Sequence, residues 1–456
     1  MTAARAIGWD RAFDTSALRA AWDTVRLAET IEHAYRHVRY YRETWRAAGL
    51  SPSDFASSAD LSRFPPIRKA AIAPDPMAFV SDVDVPDAIH DTSGTTGRRL
   101  PVYSNAAEEQ ALAALTAARS AGGVRPALVL RLLPPPRRLG SQRTPVERQV
   151  PQLRLPVLPG YDPGIWSDAV DQVADIVFDR FLVEGRPVPI DVIHATPPPL
   201  LAYLTDQLVA RGVDLGKTGV VEIVLTGGHV TPAVRTALSQ AWQARVSSSY
   251  SCTEIRGDSP ECPVQPGLFH PSPSVVAEIL DPETLVAVPD GAHGLVALTG
   301  LHPFQRVMPM IRYLPGDIAQ RIDGPCACGA VGTGLRIIGR AAHVVDVSDA
   351  VGSRHFIGSG AVQDAIGHCI HVPRFPYPRI AIARTPASDG PPGLSVEIEA
   401  TCPRSFDVAA VEARIAAALA RATLLERAMA RGSLALTVRL VEKGALQDYF
   451  RLYPGR

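Results

Sequence analysis

Three short stretches carry side chains suited to nucleotide chemistry. Thr92-Ser93-Gly94-Thr95-Thr96-Gly97-Arg98 gathers hydroxyls, glycines and a guanidinium. Its glycines admit backbone angles closed to other residues. A row of N–H groups and hydroxyls can then wrap phosphate oxygens, with Arg98 adding charge. Taken alone, such a stretch is as readily a flexible polar turn. Ser249-Tyr250-Ser251-Cys252-Thr253-Glu254 follows an expected strand, and ligands of open α/β sheets bind at the carboxyl ends of strands. There an aromatic face suits a base, a hydroxyl a phosphate and a carboxylate Mg²⁺. Tyr250 alone would more often be core. Arg312-Tyr313-Leu314-Pro315-Gly316-Asp317 ends in a carboxylate just after a tight turn, able to accept two hydrogen bonds from a ribose diol. A single turn aspartate is usually only that.

A second kind of chemistry is metal binding. Cys262, His270, Cys326 and Cys328 read C-x7-H followed far downstream by C-x-C. Three thiolates and an imidazole satisfy tetrahedral zinc and leave no open position, so the site is expected to be structural. The alternative is four unconnected buried residues. Cys252, Cys369 and Cys402 lack such partners and read as small hydrophobes, and His368 and His371 read as surface loop. Gly212-Val213-Asp214-Leu215-Gly216-Lys217-Thr218 is one residue short of a Walker A loop and follows a helix. No Gly-x-Ser-x-Gly elbow marks a serine hydrolase.

Positioning these groups requires a large scaffold. The 456 residues correspond to two or three domains, and 46 % hydrophobic with 20 % charged residues excludes a disordered chain. Lys plus Arg (46) balances Asp plus Glu (46), which argues against nucleic acid as the main partner. Met1 to Phe13 has no apolar core of signal-peptide length, and no apolar run could span a membrane. A cytoplasmic protein with reduced thiols is expected, which again turns clustered cysteines toward metal.

Ser16 to Ala48 carries a helical apolar pattern, followed after Asp60 by a short helix broken at Pro65-Pro66. From Leu100 to about residue 250 strands and helices alternate: strands at Ala127–Leu132, Val192–Ala195, Val220–Leu225 and Val246–Tyr250, helices at Ser167–Val183, Pro199–Arg211 and Pro232–Ala244. Such alternation predicts an α/β fold with a largely parallel sheet. Beyond residue 270 short strands between Pro/Gly turns form a β-rich subdomain. A boundary is placed near 340, giving 1–340 as the core and 341–456 as a small α+β lid. The lid has a hairpin (Arg379–Arg384, Leu394–Ala400) turning at Asp389-Gly390, a helix from Asp407 to about Ala430 and a strand at Leu434–Leu440.

Taken together and in this order, the three motifs resemble the adenylate-forming superfamily, and within it the phenylacetate–CoA ligase family. Further stretches are similar to that family: Tyr40-Tyr41-Arg42 through Phe64-Pro65-Pro66-Ile67-Arg68-Lys69, Glu261-Cys262 through His270, Val276 to Thr284, and Cys326-Ala327-Cys328-Gly329 followed by Gly339-Arg340. The resemblance runs from about residue 30 to 345. It implies that Ser93, Gly94, Thr95, Thr96 and Gly97 form the phosphate loop. Gly227 and Gly228 would approach the adenine edge, Tyr250 and Ser251 would border the nucleotide, with Tyr250 stacking, and Thr253 would hold the α-phosphate. Glu254 would hold Mg²⁺, Asp317 the ribose, and Arg340 would sit beside the nucleotide at a hinge. Family members show a similar cysteine/histidine set, so the resemblance also implies a zinc site.

The implied reaction is attack of a small, possibly aromatic, carboxylic acid on ATP, releasing pyrophosphate, then capture of the acyl-adenylate (acyl-AMP) by coenzyme A, a carrier-protein thiol or an amine. Positioning and electrostatics would do most of the work. The N-terminal helices offer a surface for a homodimer. Two departures stand out. Gly339-Arg340 is followed by Ala341-Ala342-His343 where the family has an Asp or Lys, and no lysine follows Lys443 where the family ends in a Gly-Lys pair. Three readings follow: a divergent, working ligase that adenylates slowly or with Arg, a chain that runs only the adenylate-consuming half-reaction, or one that has lost adenylation and performs another acyl or amide transfer; the contrasting reading is an inert nucleotide-binding regulatory protein.

Overall fold

The structure, a computed structural model, describes residues 15–91, 100–120, 127–133, 151–156, 167–352, 354–367, 378–385, 391–400, 405–423, 425–446 and 450–453, with Phe13, Cys369 and Val372. The expected phosphate loop, Ser93 to Gly97, lies outside these, as do His368, His371, Cys402 and Asp389-Gly390.

A six-stranded sheet forms the first layer. Its order is Ser259–Pro260, Arg245–Tyr250, Glu222–Leu225, Val192–Ala195, Val129–Leu133 and Gln152–Pro156. Every pairing in it is parallel except that of the short edge strand Ser259–Pro260. Alternate residues of a strand face opposite sides. Leu130, Leu132, Ile193, Ala195, Ile223 and Leu225 therefore bury together, against apolar residues of helices Ser167–Ile176, Pro198–Ala210 and Pro232–Trp242. The helix expected over Ser167–Val183 stops at Ile176. The remainder is a hairpin, Arg180–Val183 with Arg186–Pro189, because Glu184 and Gly185 adopt φ of 50° and 76°. Two consecutive positive φ values make the tight reversal that hairpins use.

The second sheet has seven strands and is mostly antiparallel, centred on His293–Gly300. One of its strands, Asp317–Ile322, escapes sequence reading. It begins directly after Gly316, whose φ of 87° makes the turn from Tyr313–Leu314. The N-terminal segment packs on this sheet as two helices, Ser16–His37 and Arg39–Ala47, where one was expected. They are separated at Val38, which is extended and bridges Ser81. Near Pro65-Pro66 there is a 3-10 turn, Ser58–Arg63, then a strand residue pair, Ile67–Arg68, and one helical turn, Lys69–Ile72.

The carboxyl-terminal part has its own four-stranded sheet, in which Gly393–Ala400 pairs antiparallel with Ile380–Thr385 and parallel with Ala435–Glu442. Helix Val408–Ala422 provides the crossover, and a second short helix, Glu426–Ala430, follows in place of the single long one expected. Hairpin Val344–Ser348/Arg354–Gly358 stands between the two parts with its faces divided. Val344 and Phe356 join Leu280, Leu314 and Ile318, whereas Val345, Val347 and Ile357 join the carboxyl-terminal cluster. No helix among the described residues is long and apolar enough to cross a membrane.

Candidate active site

The parallel sheet presents its carboxyl ends to one side. Thr196 follows strand Val192–Ala195, Gly227 and Gly228 follow Glu222–Leu225, and Tyr250 ends Arg245–Tyr250. From the second sheet, Asp317 opens one strand and Arg340 closes its neighbour, and the two are register partners. These groups line a single cleft of ≈ 2210 Å³, joined there by Ser251, Thr253, Glu254, Tyr313 and Lys69. Gly227 has φ 77°, and a Cβ on it would lie 2.7 Å from the Thr196 methyl. Only a bare backbone fits, which leaves the peptide edge facing the cleft.

Two carboxylates are held by two phenols. Tyr250 donates to Asp317 Oδ2 at 2.7 Å, and Tyr313 donates to Glu254 Oε1 at 2.8 Å. The guanidinium Nε of Arg340 stands 3.2 Å from Asp317 Oδ1, and its Nη1 donates to the Pro315 carbonyl at 2.6 Å. Burial pushes the Asp317 carboxyl up, outweighing the opposing pull of Arg340 and Tyr250. Burial, then the adjacent carboxylates, pushes both tyrosines up, so each stays a neutral donor. Gln305 steadies the Glu254 backbone. Its Nε2 donates to the Glu254 and Met308 carbonyls at 2.8 and 2.9 Å, and its Oε1 accepts from Arg256 N–H at 3.0 Å. Ser251 is exposed and Thr253 half-buried on the cleft wall. The arrangement thus offers a ring, a bare backbone edge and two carboxylates around one space.

Cys262, His270, Cys326 and Cys328 also come together, with all four ligand atoms within 4.8 Å of one another. The Cys262–Cys326 sulfur separation is 3.6 Å, and Cys328 Sγ lies 3.4 Å from His270 Nε2. Zn–S bonds of about 2.3 Å in a tetrahedron imply S···S edges of about 3.8 Å, so the two short separations are close to those of a zinc site, and the donor set suits that ion. Cys252 and Cys369 instead pack against hydrophobic clusters.

Sequence reading missed some partners. Tyr313 lay inside a noted motif, but nothing pointed to its pairing with Glu254. Gln305 carries no motif signal. His229 Nε2 lies 3.0 Å from Asp364 Oδ1 on helix Ser359–Ile366, and the imidazole rests over Gly360, where a Cβ would stand 3.1 Å from the ring.

No family model matches the chain. It is similar to a phenylacetate–coenzyme A ligase of Thermus thermophilus, 26 % identical over 311 residues, covering 67 % of this chain and 66 % of that protein. A phenylacetate–coenzyme A ligase of Aromatoleum evansii is 24 % identical over 314 residues, covering 65 % and 64 %. The chain thus spans just under two thirds of the length of these curated relatives. In fold it is similar to a crystal structure of 2-hydroxyisobutyryl-CoA ligase in the postadenylation state, with a TM-score of 0.68 at 19 % identity over 100 % of this chain and 94 % of the other. The chain is thus similar in sequence, over about two thirds of its length, to phenylacetate–coenzyme A ligases, and shares over its whole length the α/β fold of 2-hydroxyisobutyryl-CoA ligase.

Proposed function

We propose that this chain uses ATP to activate a small carboxylic acid as its acyl-adenylate and passes the acyl group to the thiol of coenzyme A. One observation carries the reading: Tyr250, Asp317, Glu254 and the Gly227-Gly228 edge border one cleft at the carboxyl ends of a parallel sheet. The names of the relatives support it.

In this reading the acid's carboxylate oxygen bonds to the α-phosphorus as the bond to pyrophosphate breaks. A thiolate then bonds to the acyl carbon, and AMP leaves. The chain's own residues supply orientation. Tyr250 holds the base and, through its hydroxyl, fixes Asp317. Asp317 still has acceptor sites free for the ribose diol, since an ionised carboxylate has about four. Thr253 contacts the α-phosphate. Ser93 to Gly97 cradle the outer phosphates, and Arg340 balances charge beside Asp317. Glu254, with Tyr313 fixing one of its oxygens, would hold Mg²⁺, an ion bound through one or two carboxylates plus substrate phosphates. That ion would neutralise phosphate charge. The cysteine/histidine set would hold a structural zinc that staples the β-rich subdomain. Residues 1–340 act as the core and 341–456 as the lid.

A second reading follows from the run Gly339-Arg340-Ala341-Ala342-His343, which lacks the expected Asp or Lys at the hinge: the chain consumes an acyl-adenylate that it does not make. Exchange of labelled pyrophosphate into ATP across an acid panel tests both. Acid-dependent exchange supports the first reading. Silence together with consumption of a synthetic acyl-adenylate supports the second, and failure to bind ATP, AMP or an acyl-AMP mimic in calorimetry refutes both. Product analysis with coenzyme A, a carrier-protein thiol or an amine identifies the acceptor.

A further inference from the structure

The face of the parallel sheet opposite the apolar core holds a row of side chains that the adenylation reading leaves unused. Arg131, His194 and Val224 are successive register partners on neighbouring strands. Sheets covered on both faces are ordinarily apolar on both, so a guanidinium beside an imidazole here is unusual. His194 Nε2 lies 3.1 Å from Thr226 Oγ1, and the Thr226 and Thr196 hydroxyls are hydrogen-bonded to each other. Both threonines line the cleft, and Thr226 directly precedes Gly227. The relay therefore runs from the sheet interior to the cleft wall beside the nucleotide position.

Charge sets the direction of this relay. Burial first, then Arg131, push the His194 imidazole down to about 3, so the ring is neutral and carries one N–H. Arg131 stands on the neighbouring strand opposite the one carrying Thr226. A positive charge on that side favours the tautomer whose lone pair faces Arg131 and whose N–H faces Thr226. The imidazole then donates to Thr226 and Thr226 donates to Thr196. In that arrangement the hydroxyl of Thr196, a residue lining the cleft, keeps its own proton for a further acceptor.

We propose that Thr196 and Thr226, positioned by His194, form a subsite that selects an acid bearing a second oxygen acceptor (a hydroxyl, keto or carboxylate group) over its hydrocarbon analogue. This rests on the acyl-adenylate reading and names the substrate class for it. A site built to hydrogen-bond a substituent rejects the analogue lacking it, because a buried polar group is then left unpaired.

The test compares kcat/KM in pyrophosphate exchange for matched pairs: phenylacetate and mandelate, benzoate and 2-hydroxybenzoate, isobutyrate and 2-hydroxyisobutyrate, butyrate and succinate. The wild type is expected to favour the oxygenated member of at least one pair by about 10- to 100-fold, mainly through KM. Thr226→Val collapses that ratio toward one, and Thr226→Ser keeps it. His194→Leu loses the ratio, whereas His194→Gln, which retains an N–H, keeps it. A purely structural role for His194 would lower both members of a pair alike. Preference for the hydrocarbon member in every pair, or an unchanged ratio in Thr226→Val, overturns the proposal. If exchange is silent, the same pairs are offered as acyl-sulfamoyl adenosines in calorimetry. Equal Kd values within every pair again overturn the subsite. No binding of any of them refutes the adenylation reading, and the subsite with it.

Discussion

Replacing Asp317 by Asn separates what this carboxylate does to the fold from what it does for a nucleotide. Tyr250 occupies Oδ2 and Arg340 stands against Oδ1, leaving about two of four acceptor sites for the ribose diol. Asn is nearly isosteric but keeps one acceptor oxygen, so at least one charge-assisted bond to the diol is lost. Such a bond contributes about 1.5–3 kcal/mol, so the Kd for ATP is expected to rise about 10- to 100-fold. Stability is expected to move the other way. Burial raises the folded-state pKa of Asp317 above its unfolded value. A raised acid stabilises the fold while protonated. That stability is complete below the unfolded value and is lost as pH climbs through the folded one. At pH 7 the wild type therefore carries an ionised, poorly solvated group that the Asp317→Asn variant lacks. Arg340, being well exposed, tolerates losing its partner. The Tm of Asp317→Asn should exceed the wild-type Tm at pH 7, with the gap closing toward pH 4. Isothermal calorimetry and melts across pH measure both. ATP affinity within about threefold of wild type, below the loss of even one charge-assisted bond, would refute the ribose assignment. A lower Tm at pH 7 would refute the electrostatic argument.

Tyr313→Phe removes the phenol that holds Glu254 and leaves a buried carboxylate oxygen without its donor. Pyrophosphate exchange should fall about tenfold and the Mg²⁺ concentration for half-maximal rate should shift, in line with loss of one hydrogen bond to a charged group. An unchanged Mg²⁺ dependence would show that the phenol does not tune Glu254. Cys328→Ser should abolish bound zinc in elemental analysis and lower the Tm by about 5 °C or more, since metal-binding free energy is folding free energy in such sites. Equal metal content and Tm in wild type and variant would dispose of the staple.

The residues whose place in the cleft was legible share a position. Gly227, Tyr250 and Thr253 sit at or just beyond strand ends, where apolar runs give way to small and polar residues, and the change of texture marks the cleft. The clustering of Cys262, His270, Cys326 and Cys328 was legible because cysteine is an uncommon residue type and the C-x7-H and C-x-C spacings stand out. What could not be read depends on pairings across long loops. Tyr313 meets Glu254 over 59 residues and His229 meets Asp364 over 135, and neither segment signals its partner. The strand Asp317–Ile322 was hidden because it opens on a charged residue after a Pro-Gly turn. The hairpin at 180–189 was hidden because Phe178, Phe181 and Leu182 mimic a continuing helix until Glu184-Gly185 reverses the chain.

The divided hairpin at 344–358 gives the residue-340 boundary a mechanical meaning. A cut there would not free two finished bodies, since Val344 and Phe356 form one wall around Leu314 and Ile318. Those two leucine and isoleucine side chains bracket the turn that carries Asp317. Close-packed interiors pass displacement on instead of absorbing it. The carboxyl-terminal sheet and the turn that carries Asp317 are packed against opposite faces of one hairpin.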